Sequence, residues 1–101
     1  MRGEFTLCYH YFALRDERNH LELFLDIDGE SLLETWRAFR KTPLGADGRL
    51  RFVAGEPHRR QYLNFAGPIS NNRGRLRILR RGKFVDRRGT NAQAEYIRIT
   101  L

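Results

Sequence analysis

The sequence predicts an all-β domain: a small closed or partly open β-barrel of seven to eight mostly antiparallel strands, with little helix. Three observations predict it. First, apolar residues recur with period two: over residues 20–28, Leu21, Leu23, Leu25 and Ile27 alternate with His20, Glu22, Phe24, Asp26 and Asp28. Second, turn signals such as Asp28-Gly29, Asp47-Gly48, Gly67-Pro68 and Arg73-Gly74 keep every apolar segment short. Third, 101 residues are enough for one domain over positions 1–101, while two domains would each be too small to bury a core. Short connections favour antiparallel neighbours, and closure removes the strand edges that would otherwise pair with other chains.

Taken in order, residues 4–14 are aromatic and rich in β-formers and read as a strand buried on both faces. Residues 15–19 are a polar turn, and 20–28 form the cleanest strand. Residues 32–39, centred on Trp36, are too short for a confident helical period and favour a strand. Pro43, Gly45 and Asp47-Gly48 make 40–48 a loop before a short strand at 49–54. Gly55-Glu56-Pro57 turns the chain into a segment at 58–65 that carries Tyr62, Leu63 and Phe65. Two loop signals follow, at Gly67-Pro68 and at Asn71-Asn72-Arg73-Gly74. A strand at 75–79 points Leu76 and Ile78 inward and Arg75 and Arg77 outward, and Arg81-Gly82 reads as a turn into 83–85. Residues 86–93 read as a loop, and alternation over 95–101 gives a closing strand. Trp36 and Phe65 read as core, and Gly67, Gly74 and Gly82 as turn residues.

Composition narrows the function. Hydrophobic residues are 41% and aromatics 12%, enough for one modest core, and mean hydropathy is −0.62. The longest apolar run is Tyr11 to Leu14, far short of the roughly 20 residues of a membrane span, and Glu4, Thr6 and His10 interrupt any secretory signal. Cys8 is the only cysteine, which excludes an internal disulfide and a cysteine-built zinc site and fits a reducing, cytoplasmic setting. The net charge of +7 is split unevenly: residues 1–48 carry −3 and residues 49–101 carry +10. Nearly all the positive charge is arginine, the side chain that forks onto phosphate with two parallel hydrogen bonds. Eight of the sixteen residues 73–88 are basic: Arg73, Arg75, Arg77, Arg80, Arg81, Lys83, Arg87 and Arg88. On a strand Arg73, Arg75 and Arg77 would share one face, which favours nucleic-acid contact over a merely solvated sheet. Only Phe84 lies near this stretch, so no base-stacking platform is visible.

Three histidines are available for chemistry. His10, between Tyr9 and Tyr11, reads as a hydrogen-bonded core or rim residue. His20 and Glu22 stand two apart on the polar face of a strand, with Cα atoms about 7 Å apart. On its own that pair also fits an ordinary solvated strand face. His58 and Tyr62 form a third local pair, bridged by Arg59-Arg60.

The order of these pieces resembles a known family. His20-Leu-Glu22 with Asp28-Gly29, then Trp36, then His58-x3-Tyr62-x2-Phe65-x-Gly67-x-Ile69, then Arg73-Gly74 and Gly82-Lys-Phe84 are similar to the 3′-phosphoesterase domain of bacterial DNA ligase D and its small stand-alone relatives. The resemblance runs over residues 5–85. It implies a β-barrel that removes a 3′-phosphate or ribonucleotide from DNA ends, with manganese or another divalent metal as cofactor and with DNA ends and a DNA ligase as partners. By the same resemblance His58 and Glu22 fall on metal-binding positions, His20 on the phosphate-contacting histidine, and Tyr62 on the active-site tyrosine.

Two positions depart from the pattern. Leu14 stands where the family has its first metal histidine, which leaves Asp16 or His10 to supply a third ligand. Phe24 stands where the family has an arginine, so another arginine, such as Arg51 or Arg75, would have to supply charge to the phosphate. Glu22 in place of aspartate adds a methylene, which moves a ligand by about an ångström. The competing readings are a non-catalytic barrel that binds nucleic acid through its arginine face, and an interaction module for an acidic protein.

Overall fold

The computed structural model describes residues 2–39, 52–88 and 96–100. Strand β1 (Arg2–Tyr11) pairs antiparallel with β2 (His20–Asp26), in a register that sets Thr6 opposite Phe24, Cys8 opposite Glu22 and His10 opposite His20. The polar turn between them is held by its own side chains. Asn19 accepts from the Phe12 N–H at 2.7 Å and donates to the Ala13 carbonyl at 2.7 Å, while Asp16 accepts from the Arg18 backbone and guanidinium. Strand β3 (Glu34–Phe39) continues the sheet, with Glu22 opposite Arg37 and Leu23 opposite Trp36. The β2–β3 connection turns at Gly29, whose φ of +78° suits glycine, and Asp28 caps the N–H groups of Glu30 and Ser31.

On the other side of β1 lies β6 (Arg75–Arg88), a single strand of 14 residues. The turn expected at Arg81-Gly82 is absent: Gly82 pairs opposite Phe5 and the ladder continues, so residues 86–88 of the expected loop are strand too. Partnership with β1 along its whole length overrides the local turn signal. The irregularity sits instead at Leu79, which has no opposite residue between the Leu7/Arg80 and Cys8/Ile78 pairs and is exposed. Short strands β4 (Val53–Ala54) and β5 (Gly67–Pro68) pair with β3 and β6, and β7 (Tyr96–Thr100) pairs with the far half of β6. Gly67-Pro68, expected as loop, is therefore a two-residue edge strand, the position proline tolerates. Within the expected strand at 49–54, Val53 and Ala54 are strand and Phe52 is not; residues 49–51 and the expected loop at 40–48 lie outside the described residues.

The result is a mostly antiparallel sheet in the order β4-β3-β2-β1-β6-β5, with β7 also on β6. It is open; no ladder among the described residues closes it into the expected barrel. Nor is 58–65 a strand. His58 makes a lone bridge to Leu33, and Arg60–Leu63 forms a 3₁₀ turn. Long-range anchors hold that turn: the Thr6 hydroxyl donates to the Leu63 carbonyl at 2.6 Å, and the Arg60 guanidinium grips both Asp26 carboxylate oxygens at 2.8 and 2.7 Å.

Alternation gives the sheet two apolar faces. Phe5, Leu23, Leu25, Trp36 and Phe84 pack on one; Cys8, Phe24, Leu33, Leu63 and Leu76 pack on the other, with Phe65 against them. Trp36 is thus a core residue, as expected, while Phe65 is only partly buried at the edge of its cluster. The 3₁₀ turn covers the second face at one end, and the remainder of that face holds the site. Among the described residues no helix is long and apolar enough to cross a membrane.

Two outcomes follow. Thr6→Val leaves a buried Leu63 carbonyl without its donor and should cost about 1–3 kcal/mol in a urea titration. Asp26 is held below the usual carboxylate range chiefly by its hydrogen bonds to Arg60, so the folded state resists taking up that proton. Its stabilising contribution is complete above about pH 4 and is lost as pH falls further. Asp26→Asn should therefore flatten the fall in melting temperature below that pH.

Candidate functional site

Strand register assembles the site. His10 on β1, His20 and Glu22 on β2, and Arg37 on β3 all point to the same side of three adjacent strands, because His10 pairs with His20 and Glu22 with Arg37. His58 joins from the neighbouring segment, clipped in place by reciprocal backbone bonds to Leu33 at 2.8 and 3.1 Å. The two imidazoles of the hairpin are fixed by ring stacking. Phe12 lies 4.6 Å from His10, His10 4.8 Å from His20, and His20 4.7 Å from Phe39.

Glu22 is the centre of the cluster and is only 2% exposed. Its Oε1 lies 2.9 Å from Arg37 Nε, 3.2 Å from His20 Nε2 and 4.0 Å from His58 Nε2, and its Oε2 lies 3.8 Å from His10 Nδ1. Burial pushes this carboxyl toward protonation, but the His20 contact and the charges of His58 and Arg37 outweigh it and hold the group below its ordinary range. The neighbouring Cys8 thiol goes the other way: burial, then Glu22, push it up to about 12.

The histidine tautomers follow from what each ring touches on its far side. A carbonyl only accepts, so a ring nitrogen bonded to one must carry the hydrogen. His20 Nδ1 donates to the Arg18 carbonyl at 2.6 Å, His10 Nε2 to the Arg73 carbonyl at 2.6 Å, and His58 Nδ1 to the Glu56 carbonyl at 2.9 Å. Each remaining nitrogen faces Glu22 with a lone pair when the ring is neutral. His10 is kept in that neutral form mainly by burial. His10 Nδ1 and His20 Nε2 are buried and have no hydrogen-bond partner. Imidazoles that gather beside a carboxylate, each anchored through its other nitrogen to a carbonyl, have the arrangement that metal-binding histidines show. The ligand atoms of His10, His20 and Glu22 lie within 4.8 Å of one another. This donor set fits a borderline divalent cation such as Mn2+ or Zn2+.

The cluster opens into a cavity of about 450 Å³, also lined by Arg59, Tyr62, Ile69 and Arg73. Tyr62 is packed edge-on to His58, with centroids 5.5 Å apart, and against Phe65 at 5.6 Å. Arg73 reaches the rim because Asn71, Asn72 and Gly74 all take positive φ, swinging its carbonyl onto His10. A Cβ at Gly74 would come within 2.5 Å of the Tyr11 carbonyl, so this bend requires glycine.

Of the residues singled out in the sequence, His20, Glu22, His58 and Tyr62 come together here, with Arg73 on the rim. The other basic residues do not join them. Arg75 and Arg77 line a separate groove, and Arg81 and Lys83 a third hollow, where Arg81 bonds the Asn64 side chain; Arg80 is exposed. Arg73 therefore does not share a face with Arg75 and Arg77, because the bend at Gly74 intervenes. Leu14 is 82% exposed and Asp16 pairs with Arg18, so neither serves the cluster. His10, read from sequence as a core or rim residue and as one of two candidates for a third ligand, lies beside Glu22. Arg37, not singled out in the sequence, is the arginine that touches that carboxylate; Arg51 lies outside the described residues. Phe24 packs instead on the rings of His58 and Tyr62. The signal for both was cross-strand register, which a pass along one strand does not reveal. No family model, curated protein or solved structure matches this chain.

Titrating Mn2+ or Zn2+ into the protein should perturb the His10, His20 and His58 ring signals together in NMR. Glu22→Gln should weaken that binding at least tenfold while the fold persists. A cluster held by protons alone would give no such joint response.

Proposed function

We propose that this chain is a divalent-metal-dependent phosphoesterase that clears 3′ ends of DNA, removing a 3′-phosphate or terminal ribonucleotide. One observation carries the reading: three imidazole nitrogens and a buried carboxylate converge in a cavity rimmed by guanidinium groups. His10, His20, Glu22 and His58 are the residues that would hold the metal. Bound there, a divalent cation would polarise phosphate oxygens and supply hydroxide near neutral pH.

The chain's own residues account for the rest. Arg37 spends its Nε on Glu22 and is one-third exposed, which leaves the outer end of its guanidinium for an anion. Arg59 and Arg73 add positive charge at the cavity mouth, where equatorial phosphate oxygens need it. Tyr62 lines the wall and offers a hydroxyl to the same group. The product, a 3′-hydroxyl, is what a ligase consumes, so the natural setting is a reducing cytoplasm beside a DNA ligase.

The direct test is a labelled DNA primer ending in a 3′-phosphate, incubated with protein and Mn2+. A 3′-hydroxyl product is expected, and chelation by EDTA should abolish it. His58→Asn and Glu22→Gln should each lower the rate at least tenfold, and Arg37→Gln about a hundredfold in kcat. Absence of product with Mn2+, Mg2+ and Zn2+ alike would overturn the reading. A salt-sensitive DNA complex without turnover would then identify a non-catalytic nucleic-acid binder, and binding only to an acidic protein an interaction module.

A further inference from the structure

The same alternation that turns His10 toward Glu22 turns Tyr9 and Tyr11 to the opposite side of β1. There β6 sets Arg77 opposite Tyr9 and Arg75 opposite Tyr11. The two rings are half-buried and adjacent, their centroids 6.2 Å apart and their planes at 47°. Both arginines are exposed, and neither has a carboxylate partner among the described residues. Ala66, Gly67 and Ile78 complete the groove, whose volume is about 810 Å³ and whose lining is mainly apolar. Leu76 lines both this groove and the histidine cavity, so the two adjoin across β6.

We propose that this groove binds a single strand of nucleic acid, with bases on Tyr9 and Tyr11 and phosphates on Arg75 and Arg77. The proposal rests on the reading of the chain as a nucleic-acid enzyme and names the form it holds. Aromatic faces at i and i+2 of a strand recur at about 7 Å and offer two platforms for unpaired bases. A duplex keeps its base faces stacked inside and gains nothing from the tyrosines, whereas an acidic peptide would use the arginines alone. The mainly apolar lining favours the first ligand over the second.

Fluorescence anisotropy of a labelled oligothymidylate of about 15 nucleotides tests this. The full chain should bind it more tightly than a blunt duplex of equal length. Tyr9→Leu and Tyr11→Leu should each weaken the single-strand complex about tenfold and leave duplex binding unchanged. Arg75→Gln and Arg77→Gln, both at exposed positions, should each reduce the slope of log affinity against log salt by about 0.7. Thermal melting of each variant separates lost binding from lost fold, and the arginine pair decides the matter if the tyrosine variants unfold. Equal affinity for duplex and single strand, wild-type binding by the folded variants, or a polyglutamate complex that depends on the arginines would each overturn the proposal. Failure here with 3′-phosphate removal intact condemns the groove alone. Intact strand binding without phosphate removal condemns the catalytic reading alone.

Discussion

A carboxylate buried in a β-sheet is the constraint on which this molecule turns. Glu22 lies almost wholly out of water, where an isolated charge costs several kcal/mol and persists only with positive partners. The sheet supplies one, Arg37 from β3, and gathers three imidazoles round the same group: His10 from β1, His20 from its own strand and His58 from the segment beside Leu33. None of these could move by one residue of register without turning its side chain to the other face. Strand pairing is thus specified by electrostatics at this end of the sheet as well as by the apolar pattern. Breaking the set by removing Arg37 would leave the charge facing histidines that neutralise it only by taking up protons.

Loops decide which nitrogen of each histidine faces the carboxylate. Each ring hands its proton to a backbone carbonyl outside the regular ladder, at Arg18, Arg73 or Glu56. The Arg18 carbonyl is placed by the Asp16 and Asn19 turn, and that of Arg73 by the left-handed run through Asn71, Asn72 and Gly74. Glu56 lies two residues before His58, which bonds Leu33 through both of its backbone groups. Thr35 adds its hydroxyl oxygen to the His58 Nδ1 proton while donating to the Leu33 carbonyl. Residues that never enter the cavity therefore aim the lone pairs that do.

What the sequence revealed follows the range of each signal. Period-two alternation is local, so β2 and the faces of its side chains were legible, as was the pairing of His20 with Glu22. The turns at Asp28-Gly29 and at Asn71 to Gly74 were legible for the same reason. Failures came where distant partners overrule local preference. Arg81-Gly82 looks like a turn, but β1 keeps it in a strand, and Gly67-Pro68 pairs with β6. The 3₁₀ turn within 58–65 had no local signal, because Thr6 and Asp26 pin it from a distance. Arg37 goes unnoticed along the chain, and His10 stands there only as a core or rim residue or one of two candidate ligands, because the importance of both lies in which residue stands across the ladder.

One sheet can in this way carry two unlike surfaces with little interference. On β1, His10 contributes to a polar cavity while Tyr9 and Tyr11, its immediate neighbours, face an apolar groove. On β6, Leu76 forms a wall common to both, and the bend at Gly74 sends Arg73 to one and leaves Arg75 to the other. The split depends on glycine at that bend, since a side chain there would strike the Tyr11 carbonyl and the rings of Phe12 and His10. A substitution at Gly74 would then disturb both surfaces at once, moving the carbonyl that orients His10 and the strand that presents Arg75. That bend is why the arginine-rich stretch, continuous in sequence, is not a single charged face: Arg73 lines the histidine cavity, Arg75 and Arg77 the apolar groove, and Arg81 and Lys83 a third hollow.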